Sequence, residues 1–147
     1  MTSFIGTSMP RGYAGEITRG AFDYTTEAKE NDKTTPVSEA GVFVSLTATG
    51  TATVATGADA VYGVSLRDYR QIGPDGKPWP ADRLVAILRR GYVAVQAEGT
   101  PTIGAPVYLG ENGIATATQA SGAEAIPGCT FMGAKDSDGL AEIAFNI

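Results

Sequence analysis

No histidine occurs anywhere in the 147 residues, and cysteine occurs once. The first absence removes the usual general base near neutral pH, the histidine-based nucleophile triads and the commonest metal ligand. The second removes any intrachain disulfide and any cysteine-cluster zinc site. Cys129 has no histidine to activate it and lies in the apolar stretch 126–132, so it reads as a small buried hydrophobe. Large side chains are scarce too, with five Phe, six Tyr and one Trp. A core made mostly of Ala, Val and Ile yields less burial energy per residue, at about 25 cal/mol per Å² of apolar area. Such a chain gains by packing against copies of itself or a partner.

Positive charge is also thin. Eleven Lys and Arg stand against sixteen Asp and Glu, for a net charge of −5. Phosphate binding needs a concentrated basic patch, and the only dense spot is Arg89 and Arg90. Strand neighbours point to opposite faces, so these two make no stripe, and nucleic acid is not the expected partner. No apolar run reaches the ~20 residues of a membrane span, and residues 1–9 have neither the basic start nor the apolar middle of a signal peptide. The expected place of synthesis is a cytoplasm, with no membrane partner.

What is present is β-structure. Short β-branched runs alternate with Gly, Pro, Asn and Asp over most of the chain, as in barrels and sandwiches. Strands are expected at residues 21–25, 41–46, 52–56, 61–67, 84–89, 92–96, 106–109, 114–118, 129–132 and 140–145. Arg90-Gly91 reads as a tight turn or bulge between two of them. Asn112-Gly113 and residues 135–139 read as hairpin turns. Residues 26–33 are charged and contain Ala, which suits one or two helical turns or a charged loop equally.

Three segments fall outside the expected barrel: residues 1–19, 71–83 and the small-residue linker 119–125. Residues 1–19 carry Phe4, Ile5, Met9 and Tyr13 among small residues and read as an extended arm laid across a neighbour. Residues 71–83 hold three prolines, Trp79 and Arg83. A Trp on a stiffened loop suits an interface anchor, and equally suits a plug for the barrel end. Residues 20–147 read as one domain, with the loop at 71–83 inside it.

Enzyme readings lack a residue set. Asp136, Asp138 and Gly139 resemble the start of a calcium loop, but the twelfth position is Ile147 instead of Glu, so a turn is expected. Asp59, Asp68, Glu98 and Glu111 are scattered carboxylates without a sugar platform. Size and acidity invite comparison with trimeric dUTP hydrolases, whose Gly- and Ser-rich C-terminal phosphate arm is missing from the closing residues 143–147. No glycine-rich phosphate loop occurs. Neither a catalytic residue, a cofactor, a metal nor a small-molecule substrate is expected.

Three stretches carry a resemblance: Arg19-Gly20 onward, residues 58–65 through Tyr62-Gly63-Val64, and the tail from Ala125 through Cys129 and Phe131 to Asn146. With residues 104–109, they resemble tailed-bacteriophage head-decoration, or cement, proteins. The resemblance spans residues 19–147, and the Trp79 loop has no counterpart in the family pattern. It implies an all-β fold, a small β-barrel or sandwich of β-tulip-like type with an extended N-terminal arm. It implies a homotrimer on the outer surface of the expanded capsid, near three-fold and quasi-three-fold axes, bound to the major capsid protein. The contact residues expected are Phe4, Ile5, Met9, Tyr13, Trp79 and Arg83, apolar or Arg anchors outside the barrel. The rival reading is a carbohydrate-binding or adhesive module of a phage tail or fibre, which requires aromatic side chains clustered on one exposed face.

Overall fold

The structure is a computed structural model, and it describes residues 12–20, 23–67 and 83–147. Nine strands occupy the described residues: β1 (Thr25–Glu30), β2 (Phe43–Leu46), β3 (Ala52–Val54), β4 (Gly63–Ser65), β5 (Leu84–Glu98), β6 (Pro106–Leu109), β7 (Ala115–Thr116), β8 (Ala125–Phe131) and β9 (Leu140–Phe145). Two single 3₁₀ turns, Ala58–Ala60 and Glu111–Gly113, are the only helical pieces among them. The all-β expectation holds.

β5 organises everything else. Its C-terminal half starts a ring that runs β5–β7–β6–β8–β9 and returns to β5, a closed barrel with no free edge. The β5–β7 pairing is parallel and the other pairings around the ring are antiparallel. Its N-terminal half lies between β1 and β4, and β2 and β3 extend that second sheet. A bridge from Asn31 to Ala52 brings the far ends of the second sheet together.

One strand serves two sheets because it bends. Thr25 pairs with Arg90 and Thr26 with Leu88, which leaves Arg89 as an extra residue, a bulge. Gly91 follows at φ +143°, and a Cβ there would sit 2.9 Å from that of Tyr24. The Arg90-Gly91 signal therefore marks a bend inside one fifteen-residue strand instead of a break between two.

Alternation along β2 and β5 feeds two cores. Phe43, Val64 and Leu88 face the barrel interior with Val93, Val95, Phe131, Ile143 and Phe145. The rings of Phe43 and Phe145 stand 6.5 Å apart and tilted, so the second sheet closes one end of the barrel. Val42, Val44, Val85 and Ile87 face the opposite way, around Val37 and Ala52. Cys129 is buried in the larger core, and burial pushes its thiol pKa up.

The turns follow their sequence cues. Asn112 (φ +56°) and Gly113 (φ +75°) are both left-handed, and the Ile114 N–H donates to Glu111 O at 3.2 Å, joining β6 to β7. At 135–139 the Asp136 carboxylate accepts from the backbone N–H of Asp138 and Leu140, which explains the acidic residue as a turn former.

Residues 26–33 require a correction. They are neither helical turns nor a loop: residues up to Glu30 belong to β1, antiparallel to β5. The charged side chains stay in solvent while the backbone pairs with an apolar neighbour, so β1 has no apolar stripe to signal it.

Candidate interaction surface

Residues 13–19 run beside β5 on the side opposite β9. The Gly15 N–H donates to Ala94 O at 2.8 Å, the Ala94 N–H to Glu16 O at 2.9 Å, and the Thr18 N–H to Tyr92 O at 3.1 Å. Ile17 and Val93 form a β-bridge. A close approach makes this possible. Gly15 (φ +80°) and Gly41 (φ +72°) nearly touch, and a Cβ on Gly15 would fall 2.8 Å from the Arg67 backbone nitrogen.

Side chains reinforce the attachment. The Arg19 guanidinium donates to both carboxylate oxygens of Glu142, at 2.7 Å and 3.3 Å, and Thr18 Oγ1 makes a short hydrogen bond to the same group. The Arg19 guanidinium also lies over the Tyr92 ring, 4.3 Å from its centroid. The hydrogen bond to Glu142, followed by its charge, raises the Arg19 pKa above its ordinary value.

Tyr13 stands at the outer end of this segment. It is half exposed, its N–H donates to Glu16 Oε2, and the Arg67 guanidinium covers its ring at 4.1 Å. Arg67 is the last described residue before the Trp79 segment, and its N–H donates to Gly15 O at 3.0 Å. The β4–β5 register pairs Val64 with Leu88 and Ser65 with Ile87, and the Leu66 N–H donates to Ala86 O. One further step sets Arg67 opposite Val85, two residues from Arg83. The structure therefore brings Tyr13 and both stems of residues 68–82 to one rim of the second sheet.

Arg83 has an exposed side chain, and its carbonyl accepts from the Asn31 N–H at 2.7 Å. Phe4, Ile5, Met9 and Trp79 lie outside the described residues. Sequence reasoning missed Arg67. Its only local signal is its place at the start of the Pro- and Gly-rich stretch, and its partner Tyr13 is 54 positions away.

Elsewhere on the surface the chemistry is plain. Among the described residues no group of three carboxylate, Cys or His side chains is placed to hold a metal, and no helix is long and apolar enough to cross a membrane. An open cleft of about 390 Å³ lies between Ala55, Ala58, Leu109, Asn112 and Glu124. Its lining pairs no nucleophile with a base. Three tyrosine rings each carry an arginine on one face: Tyr13 under Arg67, Tyr92 under Arg19, and Tyr62 under Arg89 at 3.5 Å.

Comparison with known proteins assigns this architecture. No curated protein matches the chain. A chain of the capsid of Myoviridae phage XM1 shares the fold, with a TM-score of 0.72 at 23% identity, over 99% of this chain and 97% of that one. A family model described as structural cement protein (E217 gp24/Pam3 gp6) matches residues 1–146. With the match running from residue 1 through the closing strand β9, the chain belongs to the phage structural cement protein family, a family of capsid structural proteins.

Proposed function

We propose that this cement protein binds the outer surface of the expanded capsid and stabilises it by bridging neighbouring major capsid subunits. The family match over residues 1–146 carries the reading. The protein acts by adhesion and performs no catalysis, with no cofactor, nucleic acid, membrane or small-molecule substrate in its task. A site split between subunits in the precursor and completed on expansion makes binding selective for the mature lattice. Binding to that state alone contributes about 2.7 kcal/mol per site at a hundredfold excess over Kd. Three copies linked as a homotrimer add avidity without new contacts.

In this reading residues 1–19 are the arm. Its root is pinned on β5 by Gly15, Thr18 and Arg19, and Phe4, Ile5, Met9 and Tyr13 reach the capsid. Trp79 and Arg83 engage it from the loop at 71–83, whose stems share a rim with Tyr13. An aromatic or Arg anchor entering a pocket contributes more than a broad flat contact, so these six residues dominate the affinity.

The test is co-sedimentation of the purified protein with expanded, cement-depleted heads and with precursor heads. Saturable binding to expanded heads alone is expected. Removal of residues 2–11, which spares the Gly15–Arg19 root, should abolish that binding at an unchanged melting temperature. Unchanged binding removes the arm from the contact. Trp79→Ala should weaken binding; a lowered melting temperature with binding intact makes Trp79 a barrel plug instead. The adhesive-module reading is disfavoured by the arginines stacked on Tyr13, Tyr62 and Tyr92, which occupy ring faces a sugar would need. Binding to a glycan array and to neither kind of head would reinstate it.

A further inference from the structure

The two ends of the β6–β8 pair differ in chemistry. Pro106 pairs with Thr130 at one end and Tyr108 with Ala125 at the other. Past the Tyr108 end lies the open cleft of about 390 Å³, to which Ala55, Ala58, Leu109 and Ala123 supply apolar surface. Glu111 and Glu124 line it as well, and both are exposed. A third carboxylate is close: a Cβ on Gly110, in the cleft wall, would stand 3.8 Å from Glu98 Oε2. Among the described residues no Lys or Arg lines the cleft, and the one ion pair is Arg19–Glu142. The apolar hollow is therefore bordered by uncompensated negative charge.

The opposite end presents the complement. Gly104 (φ +78°) takes the left-handed position of a turn in which the Ala105 N–H donates to Thr102 O at 3.1 Å. Ile103 forms the outer corner of that turn and is 76% exposed, more than any other large apolar side chain among the described residues. The turn is fixed to β8: the Gly104 N–H donates to Phe131 O at 2.8 Å, and the Phe131 N–H to Ala105 O at 2.9 Å. Just beyond Phe131 the chain enters the β8–β9 hairpin and reaches Lys135, which is exposed and has no ion pair. One end of the strand pair thus offers an apolar knob and a cation, the other an apolar hollow and carboxylates.

A single exposed Ile is ordinary on a protein surface. The argument rests on its complement, because a knob and a hollow on different parts of one chain fit between successive copies. Such a contact is heterologous, and it closes into a ring when the rotation between copies divides the circle. A homotrimer needs an interface of this kind. Met reciprocally across a two-fold axis, the same two ends close at two copies, so the mass of the assembly separates the two arrangements. The net charge of −5 sets copies against one another, and an acidic cleft accepts a neighbour where that neighbour presents a cation.

We infer that the Ile103 turn and Lys135 of one copy dock at the cleft between Leu109 and Ala123 of the next, with Lys135 set against Glu111 and Glu124. Three such contacts close the trimer. That number rests on the function proposed above, whereas the contact rests on the two ends of the β6–β8 pair.

The experiment is analytical ultracentrifugation of the isolated protein over a dilution series, so its failure leaves the head-binding test standing. Wild type should sediment at three times the chain mass. The double variant Glu111→Lys, Glu124→Lys sets lysines against Lys135, and the variant Lys135→Glu sets a carboxylate against the two glutamates. Each should dissociate at about tenfold higher concentration than wild type, or more. The triple variant, which exchanges the charges of both ends within one chain, should regain the wild-type mass. Ile103→Ser should weaken the trimer with every charge in place. Far-ultraviolet circular dichroism identical to wild type establishes that each variant is folded. Charge variants that keep the wild-type dissociation overturn the inference, and so does a triple variant that dissociates like its parents. A wild-type mass of two chains overturns the ring, and a mass of one chain overturns the contact and leaves the cleft to a basic side chain of the capsid protein.

Discussion

Replacing Asn31 by Ala should be among the most damaging single polar changes available to this protein. Asn31 is fully buried at the end of β1. Its Nδ2 donates to Val37 O at 2.9 Å, and its Oδ1 accepts from the Val37 N–H at 2.8 Å. One side-chain amide thereby satisfies both polar backbone groups of Val37, itself fully buried in the smaller core. Ala leaves both groups buried without those partners. Each orphaned group costs roughly 1–3 kcal/mol, and the turn between Asp32 and Pro36 can relax a little, so about 3 kcal/mol is expected in total. For a chain of this size 1 kcal/mol moves the melting temperature by about 2–4 °C, which gives a fall of about 6–12 °C. The assay is thermal melting together with urea unfolding, in which the midpoint should drop at a constant slope. Thr49→Ala, in an exposed turn, serves as the control and should leave both measurements unchanged. A fall of less than 2 °C for Asn31→Ala would refute the claim that this amide stands in for missing backbone partners.

Acid should act partly through Asp32. Its carboxylate accepts from the Thr35 N–H first, then from the hydroxyls of Thr51 and Thr35 and the Thr34 N–H, which lowers its pKa. A depressed carboxylate pKa stabilises the fold at pH above the unfolded value near 3.9, and the benefit is lost as pH falls through the folded value. Asp32→Asn should therefore be less stable than wild type at pH 7 by urea titration, and the two curves should converge as pH falls through the depressed folded value; a constant difference would contradict the assignment. Gly15→Ala places a Cβ 2.8 Å from backbone and strains a left-handed residue, so it should free the segment beside β5. Faster amide exchange at Ala94 and earlier proteolysis before Ile17 would register that release, and protection equal to wild type would count against it. The Cys129 thiol should resist a disulfide reagent in the native state and react at once in denaturant; prompt native labelling would contradict its burial.

Local chemistry was legible in the sequence where a short signal decides the backbone. Asn112-Gly113 needs two left-handed residues in succession, and only a primed turn between paired strands uses them so. Asp136 likewise caps its turn within four residues. The tail strand β9 was legible because alternation survives along it, with Ala141, Ile143 and Phe145 facing the larger core. One reading failed and another was half met where the deciding interaction is distant. β1 carries Glu27, Lys29 and Glu30, which hide a strand whose apolar content is supplied by β5, about sixty positions away. Arg90-Gly91 signals a departure from regular backbone, and no local rule states whether the strand ends there or bends. The bend is imposed by the need of β5 to serve the barrel and the second sheet together. For the interaction surface, the anchor types could be named in advance. That Tyr13, Arg67 and Arg83 share one rim depends on the Gly15–Gly41 approach and on the β4–β5 register, which are facts of topology.

This division of labour suits a protein whose task is adhesion. Stability resides in the closed barrel and the Phe43–Phe145 contact, both buried and both remote from the rim. The rim is built from backbone held at close quarters, with Arg67 stacked on Tyr13. Exposed ion pairs and stacked cations contribute little to folding, so residues there are free to change with the partner surface. The constraint falls on the few positions that fix the rim to the frame: Gly15 and Gly41 for the approach, Asn31 for the turn beneath Arg83, and Gly91 for the bend. Damage at those positions should lower head binding by displacing the anchors while the barrel persists. Damage to the anchors themselves should lower binding at unchanged stability. Measuring melting and head binding on the same set of variants separates the two classes, because a purely destabilising effect would move both in proportion.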